Sequence, residues 1–119
     1  MAKTVTTSPV EIGTPFTQEK MQEIANFFVR EGYVLIPGVL SKNEVEELRA
    51  RLDRAYEDPT LAAKHIAYTD FIFVRLFEFD LMFRDLLVRE PMISLFEYLL
   101  GDDCHLIANN AVINDPGTG

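Results

Sequence analysis

The chain has 119 residues, enough for one small domain and too few for two. Its apolar fraction of 48%, with nine phenylalanines, argues against a disordered chain, and its formal charge of −8 disfavours a nucleic-acid-binding surface, which wants clustered Lys and Arg. A single cysteine, Cys104, excludes an internal disulfide and a cysteine-based zinc site, and it fits a reducing, cytoplasmic setting.

Residues 1–15 are rich in Thr, Ser and Pro without periodicity, and they read as a flexible leader to a domain over 16–119. The leader lacks the apolar run of a secretory signal, and no stretch approaches the ~20 apolar residues of a membrane span. Thr17 then stands as an N-cap before a helix whose face is Met21, Ile24, Ala25, Phe28 and Val29. Gly32 ends that helix, because only glycine takes a positive φ there without strain. The β-branched run Tyr33–Pro37, "YVLIP", reads as a buried strand.

A second helix opens at Ser41, with Glu44 at capping-box spacing. Its apolar stripe is Val45, Leu48, Leu52, Ala55 and Tyr56, and Glu47 faces Arg51 at i,i+4. "EDP" stops it. "FIFVRLF", residues 71–77, reads as a strand. Asp80 caps a helix through Leu86 and Leu87, and Pro91 occupies the first turn of another that ends at Gly101. Residues 104–114 make the last strand. The order is helix, strand, helix, strand, two helices, strand, an α+β chain with helices packed on a partial antiparallel sheet.

Chemistry-bearing residues are few. Asp103 and His105 share a strand face at i,i+2, which is either a two-ligand arrangement or a turn residue beside an ordinary strand histidine. His65 reads as a surface histidine and Cys104 as an inert, partly buried thiol, since no base or cation near it in sequence lowers its pKa. Arg75 interrupts an apolar strand, so it either reaches a carboxylate or points to solvent. Asn110 and Asn114, four apart, share a strand face with Val112 between them, while Asn109 points the other way.

Two segments carry a family likeness. "FFVREGYVLIPGVLSKNEVEELRARLD" (27–53) resembles the amino-terminal signature of the phytanoyl-CoA dioxygenase family, a helix, a "GYVVIPG"-type strand and an "LS..EV..LR" helix. "LLGDDCHLIANNAVINDPGTG" (99–119) resembles that family's "LLGP" turn and the strand leading to its iron motif, and "FRDLLVREPMISLFEYLLG" resembles the helices between.

The resemblance implies a double-stranded β-helix (jelly roll) that uses Fe(II), 2-oxoglutarate and O2 to hydroxylate a small organic substrate. Iron there is held by His-x-Asp and a distant His. No His-x-Asp occurs in these residues. The expectation is therefore an amino-terminal portion truncated before the iron motif, an incomplete jelly roll with no catalytic or metal residues of its own and no cofactor bound alone. Its unpaired strand edges would invite self-association.

The resemblance also implies that the last strand lines the cosubstrate and substrate cavity. Asn114 corresponds to the family's "IN.PG" asparagine, and Asn110 shares its face. An amide can donate to a carboxylate and accept from a hydroxyl, which suits such a wall. Asn114 equally suits the start of a turn. Basic residues that contact substrate or cosubstrate lie near Arg75 in that family. The alternative function is a non-catalytic α/β binding or interaction module descended from the same family.

Overall fold

The computed structural model describes residues 10–60, 72–113 and 116–117. The chain divides into two compact units. One holds residues up to Ser41 together with Val88–Cys104, and the other holds Lys42–Leu87 with the residues from His105 onward.

The first unit is built on helix α1, Gln18–Glu31, and helix α4, Met92–Leu100. Thr17 caps α1 as its residue type predicts, its hydroxyl accepting the Lys20 N–H at 3.2 Å. At the other end Gly32 takes φ 78°, and its N–H donates to the Phe28 carbonyl at 2.8 Å. Ile24 and Leu95 meet at the centre, 0% and 1% exposed, with Met21 beside them. Burying side chains of that size contributes about 1.5–3 kcal/mol each. Tyr98 adds a polar tie from α4 to α1, its hydroxyl donating to the Gln22 side-chain carbonyl at 2.6 Å.

Two expectations in this unit need correction. The buried face of α1 is Met21, Ile24 and Phe27, while Phe28 is 39% and Val29 82% exposed. The turn at Gly32 folds Tyr33 onto Phe27, with the rings edge-on and 5.9 Å apart, and this draws Phe27 inward. Residues 33–37 are not a strand. Val34 and Ile36 pack on the Ile24–Leu95 core while Tyr33 and Leu35 stay exposed, so the two-residue alternation is there although the segment is not a strand. Side-chain packing, not a ladder, holds this segment.

The second unit pairs helix α2, Lys42–Glu57, with a two-stranded antiparallel ribbon and helix α3, Leu81–Leu87. Strand β1 is Ile72–Val74 and β2 is Asn110–Val112, in the register Ile72 to Val112, Phe73 to Ala111 and Val74 to Asn110. Phe73 and Ala111 turn to the core with Ala55, Leu76 and Phe83, and Leu48, Leu52 and Tyr56 of α2 close over them. An aromatic chain runs through it, Tyr56 to Phe73 to Phe79 to Phe83, with ring centroids 5.4, 4.6 and 6.2 Å apart. Such pairs add about 0.5–1.5 kcal/mol each beyond their area.

Both predicted strands are shorter than expected. β1 stops at Val74 because Arg75 enters the left-handed region, φ 56°, and the chain winds into a 3-10 turn over Leu76–Glu78. Residues 104–109 form no strand, and β2 begins only at Asn110. The sheet is antiparallel and the class is α+β. A jelly roll takes about eight strands, and among the described residues the sheet has two.

Candidate functional site

Of the residues singled out from the sequence, Asn110 and Arg75 lie at one end of the ribbon. In an antiparallel pair, alternate residues face opposite ways. Phe73 and Ala111 look into the core, so Ile72, Val74, Asn110 and Val112 form the outward face. Asn110 is exposed there, directly across from Val74. Arg75 follows Val74, so its backbone lies at the same end of the ribbon. Asn114 lies outside the described residues, as do His65 and Phe71.

Arg75 answers both of its alternatives at once. Its side chain is 58% exposed, and its guanidinium also meets the Glu78 carboxylate at 3.3 Å across the 3-10 turn. An exposed pair of this kind contributes little to stability. It does leave a guanidinium able to grip a carboxylate in bidentate fashion, with an amide, Asn110, on the neighbouring strand. Asp103 and His105 are both exposed, and neither lies on a strand, so the shared strand face expected of them is absent.

The sequence reading missed the asparagine that shapes this end. Asn109 uses two oxygens on the turn after Arg75. Its backbone carbonyl accepts the Leu76 N–H at 3.1 Å, and its side-chain Oδ1 accepts the Phe77 N–H at 3.1 Å. A left-handed conformation at a non-glycine residue costs about 1–2 kcal/mol. Two hydrogen bonds just beyond Arg75 hold the chain in it. Asn109 therefore fixes the bend that ends β1, while Asn110 is left to solvent. Two adjacent asparagines give no hint of which one carries the bend until the register with β1 is known.

Tyr56 fastens the ribbon from the α2 side. Its hydroxyl donates to the Ala111 carbonyl at 3.1 Å and is also hydrogen-bonded by the Phe73 backbone, so one side chain touches both strands. Burial pushes the Tyr56 hydroxyl above its usual pKa, and the bond from the Phe73 backbone partly offsets this.

Arg51 links α2 to α3. It pairs with Glu47 at 2.7 Å, as its spacing predicts, and reaches both oxygens of Asp80 at 3.0 and 3.1 Å. Hydrogen bonds to Glu47, then to Asp80, raise the pKa of Arg51. Asp80 meanwhile accepts the Met82 N–H at 2.8 Å, capping α3 as expected.

The first unit carries a separate feature, an open groove of about 690 Å³. Val34, Ile36 and Leu40 form one wall, and Phe96, Leu99 and Leu100 of α4 another. Among the described residues, no Asp, Glu, Lys or Arg lines it. The signal in the sequence was the excess of apolar residues at the end of α1, where Phe27, Phe28 and Val29 cannot all share one buried face.

Among the described residues, no group of three or more His, Cys, Asp or Glu is placed to hold a metal ion. These residues do not offer the donor set that the iron of a 2-oxoglutarate oxygenase requires. Also among them, no helix is long and apolar enough to cross a membrane. Comparison of the chain with protein-family models, with curated proteins and with solved structures gives no match. Fold and site together define an α+β protein whose two-stranded ribbon is pinned by Tyr56 and Asn109 and presents Asn110 on its open face.

Proposed function

We propose that this chain is the amino-terminal portion of a phytanoyl-CoA dioxygenase-like oxygenase, one that hydroxylates a small organic substrate with Fe(II), 2-oxoglutarate and O2. The observation that carries the reading is the order of the matching segments. Helix, "GYVLIPG", "LS..EV..LR" helix, "LLG" turn and "NNAVINDPG" follow one another as they do in that family. The reading rests on those residues and their succession, each weak alone and more specific in series.

In this proposal the chain's own contribution is a wall, not the reacting centre. Asn110 on the open ribbon face, and Asn114 four residues on, supply amides able to orient a carboxylate or a hydroxyl. Arg75, at the same end as Asn110, supplies a cation for a carboxylate. The jelly roll and the metal ligands belong to residues beyond these.

The coding frame beyond Gly119 tests the proposal directly. A His-x-Asp within about ten to twenty codons, in a protein that consumes 2-oxoglutarate when given Fe(II) and O2, is the expected result. A stop codon directly after Gly119 overturns the oxygenase reading and leaves the interaction module in its place.

A further inference from the structure

We draw no further inference here: the strongest candidate, the uncharged apolar groove between the end of α1, the 32–40 segment and α4, carries nothing because nothing in the structure shows what covers it.

Discussion

Asn109 and Asn110 are neighbours of the same type with opposite assignments, which makes them a sharp test of the site geometry. Replacing Asn109 with Ala removes the Oδ1 that accepts the Phe77 N–H at 3.1 Å and leaves that donor without its protein partner. An orphaned buried donor costs about 1–3 kcal/mol. Phe77 is only half-buried, so water recovers part of the loss and the expected cost sits at the bottom of that range, about 1 kcal/mol. The bend at Arg75 loses one of its two supports at the same time, which localises the damage to residues 75–79.

Hydrogen exchange of the Phe77 amide reads this more directly than global unfolding does. A loss of about 1.4 kcal/mol corresponds to tenfold faster exchange through local opening, so Asn109→Ala is expected to accelerate Phe77 by roughly five- to tenfold. Asn109→Asp keeps an acceptor at the same place and should stay near the wild-type rate. Asn110→Ala, exposed on the open face, should leave the Phe77 rate unchanged and move stability by no more than about 0.5 kcal/mol. If Asn110→Ala speeds Phe77 exchange while Asn109→Ala does not, the register and the division of roles between the two asparagines are wrong.

The remaining predictions concern the core and the charges of the second unit. Phe73 is 0% exposed at the centre of the aromatic chain, and Phe73→Ala is expected to cost about 3–5 kcal/mol, read as a lowered urea midpoint. A midpoint close to wild type would mean that the ring is not packed as described. Tyr56→Phe leaves the Ala111 carbonyl without its hydroxyl donor and should destabilise by about 1–2 kcal/mol at neutral pH.

Because folding raises the Tyr56 pKa, its unfolded form ionises first. Its contribution is complete below about pH 10 and is lost as pH climbs from there through the higher folded value. Wild type should therefore lose more stability than Tyr56→Phe in an alkaline titration, and parallel curves would remove Tyr56 from the account. For Arg51 and Asp80, a double-mutant cycle with Arg51→Met and Asp80→Asn should show favourable coupling at low salt that shrinks in 1 M NaCl. Zero coupling at low salt would show that the pair does not tie α2 to α3.

Local chemistry was the legible part of this sequence. Thr17, Gly32 and Asp80 act at the helix ends their residue types announced, because a cap is a contact across two to four residues. Glu47 with Arg51 is legible for the same reason. Strand assignments fared worse, since a strand exists only by virtue of a partner. "YVLIP" has the composition and alternation of a strand, yet those properties describe a half-buried extended segment and say nothing of what pairs with it. "FIFVRLF" was cut short by Asn109, 34 positions after Arg75 in the chain, and no window around Arg75 contains that information. The open groove was not read from the sequence, which placed Phe28, one of its lining residues, on the buried face of α1.

The ribbon itself bears on the oxygenase proposal. A two-stranded ribbon alone is marginal in water, and this one is held by side chains where a larger sheet would use neighbouring strands. Tyr56 engages the backbone of both strands from the α2 side, and Asn109 holds the turn where β1 ends. The inner face is already filled by Phe73 and Ala111 against α2, so a second layer has only the outer face of Ile72, Val74, Asn110 and Val112 to cover.

Three of those four residues are apolar and β-branched, the composition of a face made to be buried, and Val112 is 55% exposed. A lone asparagine on such a face is costly to bury unless its amide finds partners. In the oxygenase reading, the covering sheet and its cosubstrate supply those partners. In a chain that works without further strands, Asn110 stays in water and its replacement by Val should be harmless or stabilising. Asn110→Val therefore tests the wall: loss of 2-oxoglutarate turnover in the extended protein with its melting temperature kept supports it, and unchanged turnover removes Asn110 from it.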